Sequence, residues 1–355
     1  MKKRYSLFLL SLVILIVSCD KDNDNNPAPL EDSAAYVVNE GNFSDANGSI
    51  TSYSPESGST ILQAFDKENG RPLAGYLQTS KKVDERIYIV SNKADKIEII
   101  DYKTLESKGT IDSFEKAPTA IEIVDGVAFV GTADFKGATD SLRMFDLASF
   151  EKKEAAIEVG NTPRDIERVG DNLYVSNNGF GYGNTVSVID LSSNEVIETI
   201  TVGAGPNELI VDNEERVWVV CNGRKSYSEG SSDVPGSVYI IDGNSATVID
   251  SITEGITLGA QSYQERLVLN SEKAEAYLLN NGISVIDMNS YTIKKNIVNE
   301  SFYAIGYFPL QQSIYVGKSN GTSQPGKGYV YDLEGAPVDS FNVGIIPHKF
   351  HFTSN

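Results

Sequence analysis

A unit of about 40–55 residues recurs seven times after residue 34, and this repetition constrains the fold more than any other feature. Each unit contains short apolar strands separated by loops rich in Asn and Gly. The second strands of the seven units are Tyr36–Asn39, Tyr88–Asn92, Ala128–Gly131, Leu173–Asn177, Val217–Asn222, Ala276–Asn280 and Ile314–Gly317. Four short strands in each of seven units predict an all-β fold, a seven-bladed β-propeller whose blades are four-stranded sheets.

The two ends of the repeated region indicate how the ring closes. The first unit begins directly at its second strand, Ala35–Asn39, and the chain ends with Pro347–Phe352, which has the pattern of an inner strand. An open row of blades would leave an unpaired face at each end. We therefore predict that the N- and C-terminal strands share one blade and that the propeller spans residues 34–355.

An apolar residue followed by aspartate ends the third strand of six units, and only the first unit lacks it. These aspartates are Asp101, Asp146, Asp190, Asp242, Asp287 and Asp332. Aspartate at the end of a strand can accept hydrogen bonds from backbone N–H groups of the following turn. We predict this structural role for all six rather than a catalytic one.

The N-terminus has the organisation of an export signal. Lys2–Arg4 are basic, and the apolar run Leu7–Val17 is too short to span a membrane comfortably. The run ends in Ile16–Cys19, which resembles a lipobox, so we expect cleavage after residue 18 and acylation of Cys19, for example with palmitate. The acidic stretch Asp20–Asp24 resembles the export signal of Bacteroides-type lipoproteins. We predict a signal peptide (1–18), a lipidated disordered tether (19–33) and anchoring at the outer membrane, with the cell exterior as the expected side.

The charge balance excludes some partners. The sequence has 30 basic and 49 acidic residues, and loss of residues 1–18 removes three basic residues, which leaves a net charge of −22. Such an acidic surface repels nucleic acid and anionic lipid headgroups. We therefore expect no nucleic-acid partner, and membrane contact only through the lipid anchor. The charge favours solubility, with attraction of a cationic ligand as the alternative.

The repeats resemble those of a known family. Residues 172–205 (Leu-Tyr-Val-Ser-Asn, Val-Ser-Val-Ile-Asp, then Glu-Thr-Ile-Thr-Val-Gly-Ala-Gly-Pro) resemble the YVTN-repeat propellers. The opening Tyr36–Phe43 and the segment Asn69–Leu73 leading to Gln78 resemble a narrower group of Bacteroides-type surface lipoproteins. That group includes cobalamin-capturing propellers associated with TonB-dependent outer-membrane transporters. The resemblance implies capture of a large nutrient, with cobalamin or a related corrinoid as the first candidate, and its delivery to such a transporter.

Candidate ligand-binding residues concentrate in loops that a propeller places on one face. Loops joining strands two to three and four to one emerge there, around the central channel. The first kind of loop carries Asn39, Asn42, Phe43, Asn92, Phe135, Asn177, Phe180, Tyr182, Arg224, Tyr227 and Asn280. After the second kind come Gln78, Thr119, Arg164, Asn207, Tyr303 and His348. Amides and aromatic rings together suit a large, amide-bearing, partly apolar molecule. The asparagines have an alternative role, because Asn also stabilises tight turns.

The sequence offers little for catalysis, and we predict neither catalytic residues nor a metal or cofactor. The mature chain has two histidines, His348 and His351, which strand alternation places on opposite faces. Cys221, the one cysteine after Cys19, lies in an apolar run and is predicted to be a buried packing residue. Two alternatives to nutrient capture stay open: a lactonase- or lyase-like propeller enzyme with a divalent metal in the channel, and a protein-interaction scaffold in the cell envelope.

Overall fold

The computed structural model describes residues 35–134, 139–227, 232–257, 259 and 264–353. The predicted signal peptide, Cys19 and the tether lie outside the described residues, as does Phe135. The described residues form seven antiparallel sheets of four strands each, so the predicted all-β, seven-bladed propeller is confirmed. The inner strands of the seven sheets contact one another in cyclic order, which closes the ring around a central channel.

The blades follow one another along the chain, and only blade one combines both ends. From the inner strand outward, blade one consists of β28 (Pro347–Phe352), β1 (Ala35–Asn39), β2 (Ser49–Tyr53) and β3 (Thr60–Ile61). Blade two consists of β4 (Leu77–Val83), β5 (Arg86–Ser91), β6 (Lys96–Asp101) and β7 (Ser107–Asp112). Blade three consists of β8 (Ala117–Val124), β9 (Val127–Ala133), β10 (Thr139–Asp146) and β11 (Lys152–Gly160).

The other four blades repeat the same order from inside to outside. Blade four consists of β12 (Pro163–Val169), β13 (Asn172–Asn177), β14 (Thr185–Asp190) and β15 (Glu195–Thr201). Blade five consists of β16 (Pro206–Val211), β17 (Arg216–Cys221), β18 (Ser237–Asp242) and β19 (Thr247–Ile252). Blade six consists of β20 (Leu267–Asn270), β21 (Glu275–Leu279), β22 (Ile283–Asp287) and β23 (Thr292–Val298). Blade seven consists of β24 (Ala304–Phe308), β25 (Ser313–Lys318), β26 (Pro325–Asp332) and β27 (Pro337–Ile345).

The predicted closure of the ring is also confirmed. Strand β28 pairs antiparallel with β1, and Ala35, Val37 and Val38 lie opposite Phe352, Phe350 and Lys349 respectively. The last strand of the chain therefore supplies the inner strand of the blade that the first strand begins.

Helical structure is scarce in the described residues. One short α-helix, α1 (Ala64–Asn69), follows the two-residue strand β3, and Phe65 is buried where α1 packs against β2. The helix thus covers an edge that a longer fourth strand covers in the other blades. Single 3₁₀ turns occur at Gly179–Gly181, Ser271–Lys273 and Pro309–Gln311.

The hydrophobic core consists of seven apolar clusters, one between each pair of neighbouring blades. Strand alternation turns apolar side chains toward these interfaces, because a blade buries both of its faces. A buried tyrosine in the second strand of blade four links it to the next blade, because the Tyr174 hydroxyl donates to the carbonyl of Gly243 at 2.8 Å. Cys221 is fully buried in the cluster between blades four and five, as predicted.

The six strand-ending aspartates stabilise turns, as the sequence predicts. In each turn, one carboxylate oxygen accepts backbone N–H groups two and three, or two and four, residues further along. Asp190 Oδ1, for example, accepts from Ser192 N at 3.1 Å and from Ser193 N at 2.7 Å. The corresponding bonds form at Asp101, Asp146, Asp242, Asp287 and Asp332. These aspartates fix the reversals between third and fourth strands.

Candidate functional site

A ring of polar side chains lies at one mouth of the central channel, where the inner strands begin. Each blade contributes one residue at or near the start of its inner strand, and we name the set the channel ring. Its members are Gln78, Thr119, Arg164, Asn207, Gln264, Tyr303 and His348. Six of them are predicted ligand-binding residues. All are buried except Tyr303, which is half-buried.

Sequence analysis missed Gln264, the ring residue of blade six. Asn207 Nδ2 donates to the Gln264 carbonyl at 2.8 Å, and Gln264 Nε2 donates to the Phe302 carbonyl at 3.2 Å, so Gln264 connects its two neighbouring blades. The sequence did contain a signal, because Gln264–Leu267 (Gln-Glu-Arg-Leu) is similar to Asn207–Ile210 (Asn-Glu-Leu-Ile) in blade five. Unlike blade five, blade six has no proline ahead of this segment to mark the start of the inner strand.

Several ring atoms are buried without any hydrogen-bond partner from the described chain. They are Gln78 Oε1, Thr119 Oγ1, Asn207 Oδ1 and His348 Nε2. Leaving a buried polar atom unpaired costs about 1–3 kcal/mol, and most such atoms in proteins find a partner. Four of them lie around one channel mouth, where their hydrogen-bonding capacity is open to buried water or to a ligand.

A buried carboxylate stands behind His348 at the channel mouth. Glu40 is fully buried, and its Oε2 accepts the Tyr76 hydroxyl at 2.7 Å while its Oε1 accepts the Tyr303 hydroxyl at 3.0 Å. His348 Nδ1 lies 3.2 Å from Glu40 Oε1, at an angle outside that of a regular hydrogen bond. Sequence analysis did not single out Glu40, although it directly follows Asn39 at the end of β1. The cluster joins blades seven, one and two.

Ion pairs cross the channel beneath the ring. Lys81 Nζ lies 2.6 Å from Glu122 and 2.6 Å from Glu167, each in a different blade. Burial disfavours the charged form of Lys81, but the two glutamates outweigh it and hold its pKa above the usual range. On the opposite side Lys349 pairs with Glu265 at 2.6 Å. These side chains tie inner strands of different blades together.

Burial shifts the pKa values of two further side chains near these ion pairs. Burial, reinforced by Glu167, raises the pKa of Asp165 to about 7, and its Oδ2 accepts the Leu209 N–H at 2.9 Å. Burial and the charge of Lys349 hold the pKa of His351 well below its usual value, and His351 Nε2 lies 2.7 Å from Ser80 Oγ. His348 and His351 therefore have separate environments.

Exposed aromatic side chains surround the channel ring on the same face. They are Phe43, Phe180, Tyr182 and Tyr227, with exposed fractions of 58%, 45%, 67% and 83%. Phe43 packs edge-on against Tyr76, with 5.5 Å between ring centroids. The half-buried Arg224 lies over Tyr182, with Cζ 5.3 Å from the ring centroid. These four aromatic residues thus lie in loops outside the channel ring, which contains six of the predicted polar or aromatic residues.

The predicted asparagines of the two-to-three loops do not all face this site. Asn39, Asn177 and Asn280 are buried, and each bonds within its own part of the fold. The Nδ2 atom of Asn177, for example, donates to Ser187 Oγ at 2.9 Å. The corresponding bonds of the others are from Asn39 Nδ2 to the Ser49 carbonyl and from the Thr257 N–H to Asn280 Oδ1. Asn42 Oδ1 accepts the Ser44 N–H in a turn, which is the role considered as the alternative. The other three bond to neighbouring strands or loops, and Asn39 Oδ1 and Asn177 Oδ1 are buried without a hydrogen-bond partner in the described chain.

Asn92, like Asn39 and Asn177, has a buried amide atom without a partner among the described residues. It is half-buried, and its Nδ2 is buried without a hydrogen-bond partner in the described chain. Its backbone N–H donates to the carbonyl of Tyr76, which also contacts Glu40. Asn92 therefore lies beside the channel ring and has the same unmet hydrogen-bonding capacity.

Metal ligands and membrane-spanning helices can be assessed only within the described residues. There, no group of three or more His, Cys, Asp or Glu side chains is arranged to hold a metal ion. Over the same part of the chain, no helix has the length and apolar character needed to cross a bilayer.

Solved structures of similar shape share the fold but little sequence. A protein from Bacteroides thetaiotaomicron described as quinonprotein alcohol dehydrogenase-like matches with a TM-score of 0.69 and 14% identity, covering 92% of this chain and 80% of that one. Kuenenia stuttgartiensis hydrazine synthase matches with a TM-score of 0.58 and 15% identity, over 75% of this chain and 85% of that one. A functionally unknown protein from Desulfotomaculum acetoxidans matches with a TM-score of 0.60 and 10% identity, over 90% and 98%. At these identities the likeness concerns the fold alone.

Sequence comparison gives a family but no activity. No curated protein matches the sequence significantly. Residues 33–224 match the family described as "Domain of unknown function (DUF5074)". That match covers more than half of the 355 residues. It includes three strands of blade one, all of blades two to four and the first two strands of blade five, but not His348 or its strand β28. The chain is therefore a member of the DUF5074 family.

Proposed function

We propose that this propeller is a non-enzymatic capture protein. It binds a large nutrient molecule on the face that carries the channel ring and delivers it to a TonB-dependent outer-membrane transporter. Cobalamin or a related corrinoid is the first candidate ligand. The single observation that supports ligand capture most strongly is the group of buried, unpartnered polar atoms at the channel mouth.

The chemistry of the face suits an amide-bearing, partly apolar ligand. Gln78 and Asn207 present buried carbonyl oxygens, which accept hydrogen bonds, and Asn92 presents an amide nitrogen, which donates them. The exposed rings of Tyr182 and Tyr227 offer flat apolar contact around them. A corrinoid combines a large, partly apolar ring with peripheral amide groups, so it matches both parts.

The ion pairs between inner strands favour a ligand that rests on the face. Beneath the ring, Lys81 and Lys349 form ion pairs across the channel, and removing one partner of such a pair leaves a charge uncompensated. A ligand that threaded the channel would have to break these pairs. A large molecule that covers the mouth would leave them intact and still reach the ring.

The location is proposed from the sequence alone. Acylated Cys19 and the tether would hold the propeller at the outer membrane, and the resemblance to surface lipoproteins supports a TonB-dependent transporter as the proposed partner. Co-purification of an outer-membrane barrel with the lipidated chain, lost on Cys19→Ala substitution in cells, is the expected result of an affinity pull-down.

Titration of the mature chain with cyanocobalamin tests the ligand. We expect nanomolar or tighter binding by calorimetry and red colour that co-elutes with the protein in gel filtration. The substitution Gln78→Leu removes one buried acceptor, and Tyr227→Ala removes an exposed ring; each should weaken binding at least about tenfold, the value of one lost contact of about 1.4 kcal/mol.

The matched control is Leu310→Ala, because Leu310 is 61% exposed but belongs to the turn between β24 and β25 on the opposite face. This variant should bind like the wild-type chain. Absence of any heat with high-micromolar corrinoid would exclude corrinoid capture. If Tyr227→Ala and Leu310→Ala lost cyanocobalamin affinity to the same extent, the proposed binding face would be excluded.

A further inference from the structure

A small polar cleft opens on the same face, beside the channel ring. It has a volume of about 100 Å³ and lies where blades five, six and seven meet. Among the described residues, its polar lining comes from Thr257, Gln264, Arg266, Asn281 and Ser301. Arg266 is the one side chain of these five that carries a charge.

The guanidinium of Arg266 is bonded almost entirely to neutral groups. Its Nε and one terminal nitrogen donate to the Leu279 carbonyl at 3.0 and 2.7 Å, and the other terminal nitrogen donates to Asn222 Oδ1 at 3.3 Å. Longer contacts of 3.4–3.5 Å reach Thr257. The side chain is therefore held in one orientation, with its positive charge at the cleft.

This charge has no ion-pair partner in the described part of the chain. Among the described residues, four other arginines lie within 4.0 Å of a carboxylate oxygen, but Arg266 does not. Only 2% of Arg266 is exposed, and burial lowers its pKa to about 10. A buried charge without a counter-ion is unfavourable, and buried charges in proteins are generally paired.

The carboxyl group that acts electrostatically on the Arg266 guanidinium is that of Glu208, which lies beyond ion-pair distance. Its Oε2 accepts the backbone N–H of Arg266 at 2.7 Å instead. Burial and the neighbouring Glu265 raise the pKa of Glu208 well above its usual value, which favours its neutral form. Glu208 therefore compensates the guanidinium poorly.

The backbone of Gly259 lies close against the guanidinium of Arg266. A Cβ atom at this position would lie 2.6 Å from Arg266 Nη1 and 2.3 Å from Asn222 Oδ1. The side chain of any other residue at position 259 would therefore clash with the Arg266 guanidinium and the Asn222 amide. The chain thus combines a close backbone approach with a fixed, uncompensated cation in a polar cleft.

We infer that this cleft is an oxyanion subsite: it binds one phosphate or carboxylate group, with Arg266 as the charged donor and neutral side chains such as Gln264 and Ser301 around it. Arginine is well suited to this role because its planar fork matches oxyanions. The subsite does not depend on which nutrient is captured. Cobalamin has one group of this kind, its phosphodiester, so under the function proposed above the cleft would hold that part of the molecule.

The test uses the whole mature chain and inorganic phosphate. Phosphate is titrated by calorimetry at constant ionic strength, and methyl phosphate and acetate are titrated in parallel to distinguish phosphoryl from carboxylate groups. We expect saturable binding of at least one of the three. The key variant is Asn281→Asp, which places a carboxylate at the exposed lip of the cleft while leaving the bonds of Arg266 in place. Asn281 has a φ of 56°, which aspartate also tolerates.

Asn281→Asp should weaken anion binding at least about tenfold, because its charge takes the place of the bound anion. The matched control is Arg216→Gln: Arg216 is paired with Asp212 at 2.7 Å, away from the cleft, and its loss should leave anion affinity unchanged. Absence of saturable binding by the wild-type chain overturns the inference, as does equal affinity in Asn281→Asp. Cyanocobalamin binding is measured separately, so the two proposals can fail independently.

Discussion

Removal of the last strand is the perturbation that tests the architecture most directly. Deleting residues 347–355 takes away β28, the inner strand of blade one, and leaves β1 without its inner partner. Blade one would then face the channel with an unpaired edge, and the interface between blades seven and one would lose part of its core.

The expected loss of stability can be worked from two phenylalanines and one ion pair. Phe350 is 7% exposed, packs against Tyr315 with 6.0 Å between ring centroids, and lies over Gly306. Removing a buried phenylalanine side chain costs about 3–5 kcal/mol. Phe352 is half-buried and stacks on Phe308 at 4.6 Å, so it adds a smaller amount. Loss of Lys349 also leaves the Glu265 carboxylate without its partner. The total exceeds ~5 kcal/mol, which is the whole stability of many domains.

The assay is urea unfolding followed by circular dichroism, with gel filtration to detect opening of the ring. The chain truncated after Ile346 should be unfolded or expanded at 25 °C, and Phe350→Ala in the full chain should lose about 3–5 kcal/mol. Deletion of residues 354–355 alone is the control, and it should change neither the free energy of unfolding nor the elution volume. A truncated chain that elutes like the full one and loses no more than about 1 kcal/mol would refute the reasoning, since that loss is typical of an ordinary substitution.

Three further predictions concern single side chains. Lys81→Met leaves two channel glutamates without their cation and should cost about 3 kcal/mol in urea unfolding, the low end for a buried pair because Lys81 is partly exposed; an unchanged midpoint would contradict the network. Burial opposes ionisation of Glu98, but its bonds with Arg71, Ser107 and Lys96 outweigh this and lower its pKa, so its contribution is present at neutral pH and is lost as pH falls through the folded-state pKa. The stability advantage of the wild-type chain over Glu98→Gln should therefore shrink between about pH 6 and about pH 3; a constant difference would argue against it. Burial raises the pKa of Cys221 to about 12, so the native thiol should not react with a disulfide reagent at neutral pH until urea unfolds the chain.

The fold could be predicted because its determinants are local and repeated. A strand such as Leu173–Asn177 begins with a short apolar run, and a turn aspartate such as Asp190 marks the end of another strand. Each signal is weak alone, but seven copies at a similar spacing agree with one architecture. The position of Pro347–Phe352 followed from counting, because one blade lacked an inner strand at the start of the chain.

The site was harder to predict because it depends on contacts between distant blades. Glu40 matters through Tyr76 and Tyr303, which are 36 and 263 residues away in the chain. No local pattern marks such a residue. The asparagines show the opposite difficulty: Asn42 and Asn92 look alike in sequence, but Asn42 stabilises a turn while Asn92 Nδ2 has no partner in the described chain. Residue type alone does not separate these roles.

The helix α1 illustrates a third limit. Blade one was expected to have an ordinary fourth strand, but β3 has two residues and α1 follows it. The buried Phe65 has its place because it covers the edge of β2 and packs near Leu73 and Leu105 in the first interface. Six residues are too few to form a stable helix alone, so tertiary packing rather than helix propensity decides this element.

A comparison among the blades gives an independent reason to connect the channel ring with recognition. Positions that build the fold repeat one chemistry, as the strand-ending aspartate does in six blades. At the start of the inner strands the chemistry differs from blade to blade. The seven residues there are Gln78, Thr119, Arg164, Asn207, Gln264, Tyr303 and His348.

A symmetric scaffold has no structural need for six residue types at one equivalent position, and several of these side chains keep buried atoms unpartnered at a cost in stability. An asymmetric ligand lying over the channel mouth would present a different group to each blade. Variation at one structural position, set against uniformity at the turns, is therefore what a propeller needs in order to recognise one particular molecule. On this reasoning, substitutions in the ring should change ligand affinity more than they change folding, whereas substitutions at the turn aspartates should do the reverse.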